Sequence, residues 1–416
     1  MLLVLPSDLS DNQAAIWLDQ QLFAGKPIYN TAQVLAIRGE LRVDLFESAL
    51  RSSIAESPGL RLPPRSGSVA FALTKLDVRD EKNPLAAAKQ WIREEMRRPI
   101  PLDDPALFRF ALIRVGDDHT LWLQKFHHII IDATGRRLLA ARTAARYRAL
   151  RFGEPLPALD AATPEELLEA ERRYRASDAR EADRKYWLEQ FTKWPGPLLE
   201  MGRRNTERAR SGVHARTSFT LKRADFTRLE TTARALSSSA FRAIVALSYV
   251  AFARLYDRYD MVLGLELANR PDARARQAIG LMAWPIPMLL ALDHATTIAD
   301  ALRYVEDARA RNYPHRHFPV QELARELGIT RKGHHGLFDV IVNYIPATYD
   351  FTFEDSSVEL TNLSYGFAVP FAVTIANLGP PHDLAVTVDT DPGLVPPEMA
   401  LRLASALWTQ LRPYLV

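Results

Sequence analysis

Six consecutive residues, His127-His128-Ile129-Ile130-Ile131-Asp132, hold the densest chemistry in the chain. They follow the apolar run LWLQKF and precede a stretch rich in Ala, Leu and Arg over 134–150 that has the pattern of a helix. An imidazole with an unperturbed pKa of about 6.5 can take a proton from an attacking amine or alcohol near neutral pH. A positioned base of that kind contributes about 10²–10⁴ in rate. In an extended segment adjacent side chains point to opposite faces, so one histidine is expected in the core and the other at a cleft. Periodicity does not say which, and two ordinary strand-end histidines are the plainer alternative. Asp132 stands where strand gives way to helix; it or Thr134 can cap that helix, and a carboxylate there can also hold a distant arginine. A metal site on His127 and His128 is disfavoured because neighbouring strand residues diverge, and the other pair, His334-His335, sits in a glycine-flanked loop where it is expected to be solvated.

The elements that must position these groups alternate without a βαβ rhythm. Helices are expected at 10–24, 42–56, 134–150, 165–193, 224–237, 297–311 and 396–412, with Ser10 or Asp11 capping the first and Pro58-Gly59 ending the second. Strands of antiparallel type are expected at 32–39, 214–221, 261–267, 338–345, 357–363, 370–376 and 384–389. The runs 106–115 and 119–126, separated by Gly-Asp-Asp, read as a hairpin. Three prolines in 151–165 mark that segment as a linker between two α/β lobes of similar content.

Composition narrows the classes. The chain has 416 residues, 47% of them hydrophobic, enough for a large core. Fifty-three Lys and Arg against fifty Asp and Glu give a net charge of +3, with no like-charged block of the kind that binds nucleic acid. There is no cysteine, which excludes disulfides, a thiol nucleophile and Cys-based metal sites. The apolar N-terminus MLLVLPSDLS is too short for a signal peptide, and no stretch approaches the roughly 20 apolar residues that span a bilayer. A soluble, cytoplasmic, monomeric protein is expected, with no nucleic-acid or membrane partner.

His127-His128-(three residues)-Asp132 resembles the HHxxxDG motif of nonribosomal peptide synthetase condensation domains, a motif that wax-ester synthases and epimerization domains share. LSDNQAAIWLDQQLFAGKPIYN from Leu9 resembles the opening element of that family, and the stretch from Pro101 resembles its approach to the active site. DRKYWLEQF from Asp183, LANRPDARARQAIG from Leu267, PHRHFPVQEL from Pro314 and LFDVIVNY from Leu337 resemble four further elements, all in the family's order. The resemblance implies an α/β (α+β) fold of two chloramphenicol-acetyltransferase-like lobes, 1–165 carrying the motif and 166–416, in a V-shaped pseudo-dimer with a central tunnel. It implies no intrinsically bound cofactor and no metal. Substrates would arrive on phosphopantetheine or coenzyme A: an acyl donor (acyl-CoA or an acyl carrier protein) and a peptidyl carrier protein bearing an aminoacyl thioester. By motif position His128 would be the base or would orient the amine, and His127 would be mainly structural. Asp132 would pair with Arg270, and Asn343 would lie near the reacting centre. Ala133, Gly135, Arg136 and Trp284 would line the substrate path. Arg136 or Arg137 could meet a donor phosphate at the helix N-terminus, or both could belong to a solvated face.

The opening element and the YWLEQF and HRHFP details are closest to starter, lipoinitiation-type domains, which take a fatty acyl donor, and a chain beginning at Met1 agrees with a starter position. Three departures stand out. The motif's glycine is Ala133, where a methyl is harmless only at negative φ. Pro58 replaces a usual Glu, and Trp284 stands near the family's Asn, as a core aromatic or a reshaped wall. A free-standing acyltransferase using a soluble amine or alcohol, and a non-catalytic platform that recruits a partner, are the competing readings. An epimerization domain is disfavoured by the element near residue 315, and a BAHD-type plant acyltransferase by the absence of a DFGWG element.

Overall fold

The computed structural model describes residues 8–62, 69–199, 215–294, 297–329, 331, 334, 336–346, 351–354, 356–364, 369–380 and 382–414. The elements begin with α1 (Asp11–Leu22), β1 (Asn30–Arg38), α2 (Val43–Ala55), β2 (Leu73–Asp77), α3 (Pro84–Arg97), β3 (Phe108–Gly116), β4 (His119–His127) and α4 (Ala133–Phe152). There follow α5 (Pro164–Arg175), α6 (Asp178–Gln190), β5 (Ala215–Leu221), α7 (Arg223–Ala235), α8 (Ala240–Tyr256), β6 (Asp260–Leu267), α9 (Ala273–Gln277) and β7 (Trp284–Ala291). The last are α10 (Ile298–Asn312), α11 (Val320–Glu326), β8 (Val340–Pro346), β9 (Ser357–Asn362), β10 (Phe371–Asn377), β11 (Leu384–Thr390) and α12 (Glu398–Leu411).

Contacts divide the chain into two units that are not contiguous in sequence. The first comprises 1–172, 268–283 and 347–364; the second comprises 173–267, 284–346 and 365–416, so the first division falls within α5. Sheet order in the first unit is β2-β3-β4-β1-β9. Period-two alternation sends Ala32, Val34, Leu121 and Leu123 to the face covered by Ala88, Ile92 and Met96 of α3. The opposite face carries Trp122, whose ring meets Phe46 of α2 edge-on at 4.9 Å; Phe353, on the segment before β9, packs on Phe46 at 5.5 Å and on Tyr147 of α4 at 5.6 Å. Both faces are therefore buried, and apolar residues fall on both sides of β1 and β4, as in Val34-Leu35-Ala36 and Leu121-Trp122-Leu123.

The second unit is built on a six-stranded sheet, β5-β11-β10-β8-β6-β7, under a core that includes α7, α8, α10 and α12. The strands are not all antiparallel, as the sequence suggested: β8 runs parallel to both β6 and β10, and β2 runs parallel to β3. Two further expectations are corrected. The helix expected over 165–193 is two helices, because Ser177 adopts an extended backbone (φ −96°, ψ 154°) while its hydroxyl and N–H both return to Tyr174 O. The long helix α8 was not expected at all; twelve of its seventeen residues are buried, so it lacks the polar stripe that marks an amphipathic helix. No single helix among the described residues is long and apolar enough to cross a membrane.

Candidate active site

The strand β4 ends at His127, and the next residue opens a 3₁₀ turn, His128–Ile130. The alternation of β4 carries His127 to the same face as Lys125, whose ammonium caps the end of α3 through Glu95 O (2.5 Å) and Arg98 O (2.7 Å). On that face the His127 ring is fully enclosed. Its Nδ1 accepts from Ile129 N–H at 3.2 Å, so the proton sits on Nε2, 3.2 Å from Gln20 Oε1. Gln20 donates its amide to Phe23 O and Lys26 O, which fixes the oxygen toward the ring. Burial, with a smaller contribution from His128, pushes the His127 pKa down to about 3, so it is a neutral structural group.

His128 is held by its backbone, with its N–H donating to Tyr29 O at 2.8 Å and its carbonyl accepting from Ile131 N–H at 3.3 Å. The turn is tied to α1 by Gln13, which donates to Ile129 O at 3.1 Å and forms a capping box with Ser10. The residue keeps partial solvent contact while its Nδ1 is enclosed. Burial lowers its pKa below the ordinary histidine value; its own backbone raises it, the Arg136 charge lowers it and the Asp132 charge raises it, with burial prevailing. The ring is thus a neutral imidazole able to accept a proton at physiological pH.

Asp132 caps α4 and receives five hydrogen bonds. Oδ1 accepts from Gly135 N–H and Arg270 Nη2, both at 2.9 Å; Oδ2 accepts from Arg270 Nη1 at 2.8 Å and from the N–H groups of Met282 and Ala283 at 3.0 Å. Burial opposes its ionisation, but the Arg270 guanidinium and these donors outweigh it and hold the carboxyl below its usual range. The bidentate geometry leaves that charge spent on Arg270 rather than on His128.

Arg270 comes from a segment, 268–283, that belongs to the first unit although β6 before it and β7 after it belong to the second. Close approach to two glycines seats the segment. A Cβ on Gly59 would overlap Ile279 O, and one on Gly135 would stand 2.7 Å from Ile131 Cγ1 and 3.4 Å from Gly280 N and O. Gly280 O in turn accepts from Asp132 N–H at 3.2 Å. Asn269, at φ +48°, turns the chain directly before Arg270, in the left-handed region that Asn tolerates better than most residues. Arg142 of α4 donates to Gln277 O, and Arg274 binds Glu166 (2.9 Å) and Asp160 (2.8 Å).

Of the residues singled out in the sequence, His127, His128, Asp132, Ala133, Gly135, Arg136 and Arg270 share the first unit, while Trp284 and Asn343 belong to the second. Ala133 is the first residue of α4 and its φ is not positive, so its methyl carries no backbone strain. Arg136 is not at an anion site on the helix N-terminus. It is buried, and its Nη1 donates inward to Thr31 Oγ1 (2.5 Å), Ala32 O (3.1 Å) and Ser364 Oγ, because its position on α4 faces the sheet. Trp284 is buried at the start of β7, opposite Leu267, and Asn343 lies within β8 opposite Thr374. His334 is half-buried with its ring 5.3 Å from that of Trp194, rather than solvated, and His335 lies outside the described residues. Sequence reasoning missed Gln13, Gln20, Tyr29 and the amides of Met282 and Ala283. The last act through the backbone, which residue type does not disclose; Gln13 could have been found from its capping-box spacing with Ser10.

The family model "Condensation domain" matches residues 7–391. The chain is 29% identical over 400 residues to the dimodular nonribosomal peptide synthase of Bacillus subtilis (strain 168), covering 93% of this chain and 17% of that protein. It is 28% identical over 406 residues to the isonitrile lipopeptide synthase of Streptomyces coeruleorubidus, covering 92% and 26%. The chain thus spans about a quarter or less of these relatives. Among solved structures, the starter condensation domain of rhizomide synthetase RzmA, in a doubly substituted form with C8-CoA and Leu-SNAC, superposes with a TM-score of 0.86 at 27% identity, covering 98% of this chain and 93% of that one. The first condensation domain of the CDA synthetase gives 0.85 at 26%, covering 98% and 94%. Two sheets with their helices in a chloramphenicol-acetyltransferase-like fold, and a neutral histidine near a carboxylate bound to an arginine, thus belong to a chain of the condensation-domain family of nonribosomal peptide synthetases, the acyltransferases that form amide bonds.

Proposed function

We propose that this chain performs a starter condensation: the amine of an aminoacyl thioester attacks the carbonyl of a fatty acyl thioester. The C–N bond forms, the C–S bond breaks, and the donor thiol leaves with a proton while the acyl group remains on the amine. His128 takes the proton from the attacking nitrogen and returns one to the sulfur. His127 and the Asp132–Arg270 pair position it, and Ala133 borders the substrate path. The observation that carries this reading is the neutral, partly accessible His128 beside a carboxylate already saturated by five donors.

The donor would be acyl-CoA or an acyl carrier protein, and the acceptor a carrier protein bearing an aminoacyl phosphopantetheine, both in the cytoplasm. The rhizomide starter domain holding C8-CoA and an aminoacyl analogue supports the choice of substrates, as does the lipopeptide product in the name of the Streptomyces relative. In that starter domain a histidine and an arginine eight residues apart are replaced by alanine; His128 and Arg136 have the same spacing. Ala133, one of the departures that would favour a recruiting platform, sits in unstrained helix. Incubation of the protein with acyl-CoA and a panel of aminoacyl N-acetylcysteamine thioesters, followed by mass spectrometry, tests the proposal. An N-acylated aminoacyl product is expected. Transfer only to soluble amines or alcohols would favour a free-standing acyltransferase, and no transfer to any acceptor would contradict the reading.

A further inference from the structure

One face of α1 frames the turn that carries the two histidines. Ile16 and Gln20 are the buried residues of α1, and Gln13 lies one turn before Ile16, so the three share that face at i, i+3 and i+7. Both of its polar members bind the turn: Gln20 Oε1 is 3.2 Å from His127 Nε2, and Gln13 Nε2 donates to Ile129 O at 3.1 Å. A third tie is indirect. Tyr29, whose carbonyl accepts from His128 N–H, donates its hydroxyl to Asp19 of α1 at 2.7 Å. The Gln13 amide serves two elements at once. Its oxygen accepts from Ser10 N–H at 3.1 Å, closing the capping box of α1, while its nitrogen reaches the carbonyl one residue after His128. The start of α1 is itself fixed by Asp11 N–H, which donates to Glu171 Oε1 of α5 at 2.6 Å.

We infer that Gln13 is a positioning residue for the chemical step, setting the direction of the His128 ring through Ile129 O, and that capping α1 is its lesser role. This rests on the starter reading above, in which His128 moves the proton. The 3₁₀ turn spans only His128–Ile130, and its own bond, Ile131 N–H to His128 O, is long at 3.3 Å. A turn that short takes its direction from outside bonds. Ile129 is fully buried, so its carbonyl, stripped of the Gln13 donor, would be left without water to replace it and the turn would move to find a partner. A reacting group displaced by about 1 Å loses about 10² in rate. The two roles of Gln13 can be separated because they use different atoms of one amide.

Gln13→Glu keeps an oxygen for Ser10 N–H but puts an acceptor where Ile129 O needs a donor. Gln13→Lys does the reverse: its ammonium can donate to Ile129 O, and the cap is lost. The test measures kcat and KM in both variants and the wild type, with acetyl- and octanoyl-CoA as donors and a leucyl N-acetylcysteamine thioester as acceptor. Thermal midpoints are followed by circular dichroism. Each variant gives up one of two bonds, so similar falls in midpoint are expected, and kcat should separate them. Gln13→Glu should lose about 10² in kcat with KM within about threefold of the wild type, whereas Gln13→Lys should keep kcat within about tenfold. Should Gln13→Glu fold poorly, Gln13→Met, which removes both bonds without adding charge, should show the same loss in kcat. A kcat undiminished in Gln13→Glu or Gln13→Met, or one that simply follows the thermal midpoint across the variants, would overturn the positioning role and leave the starter reading intact. Absence of transfer by the wild type from either donor would overturn both.

Discussion

Two adjacent histidines differ because β4 ends between them. His127, with its proton fixed on Nε2 by Ile129 N–H and Gln20, is neutral down to a pKa of about 3. In the unfolded chain the same group titrates near 6.5. Between those values the unfolded state binds the proton and the folded state does not, so stability is fully present above pH 6.5 and falls as pH drops toward 3, by about 1.4 kcal/mol per pH unit. Urea midpoints measured from pH 7 to 4.5 should fall less steeply in His127→Asn than in the wild type; parallel slopes would contradict the assignment. For Arg270, replacement by Met should cost about 3–5 kcal/mol, because it strands the buried Asp132 charge, and part of that should return in the Asp132→Asn/Arg270→Met double variant. At this scale the sequence was informative where side-chain type carries the role: the two histidines, Asp132 and Arg270. It was silent where the backbone does, at Gly280 O and the Met282 and Ala283 amides, and it misread Arg136, whose direction depends on which face of α4 meets the sheet.

Among elements, the join of β4 to α4 depends on two small residues with unequal demands. Gly135 faces Ile131 and the Gly280 backbone with no room for a methyl, whereas Ala133 has ordinary helical backbone. Gly135→Ala should therefore destabilise the protein by about 1–3 kcal/mol in thermal or denaturant unfolding. Ala133→Gly, which restores the family's residue, should leave kcat/KM within about threefold; a rise of about tenfold or more would mean that the methyl obstructs substrate. Elements with a clear period were legible to within a few residues, as β1 and α2 show. The core helix α8 was not, because burial on nearly all sides erases the periodic signal, and the break at Ser177 was hidden in a continuously charged stretch.

The whole molecule interleaves its two units along the chain, a feature that no local pattern records. The proline-rich stretch 151–165 suggested a single crossing, yet the chain returns to the first unit at 268–283 and again at 347–364. Those returns bring Arg270, the aromatic Phe353 and the strand β9, which pairs with β1 from Gln33↔Asn362 to Arg38↔Ser357. A fragment of residues 1–172 would lack all three and expose the β1 edge. It is expected to show no cooperative thermal transition by circular dichroism; a sharp transition would mean that the first segment is self-sufficient.

The central claim is that His128 works as a neutral base, and the pH dependence of single-turnover acyl transfer in the wild type and His128→Ala tests it most directly. Because burial lowers the His128 pKa, the wild-type rate should hold its plateau at pH 6.5 and fall only at more acidic pH. The His128→Ala rate should be lower by about 10²–10⁴ and lack that acid limb, with both proteins equally folded. Equal rates in the two proteins, or the same acid limb in both, would contradict the account.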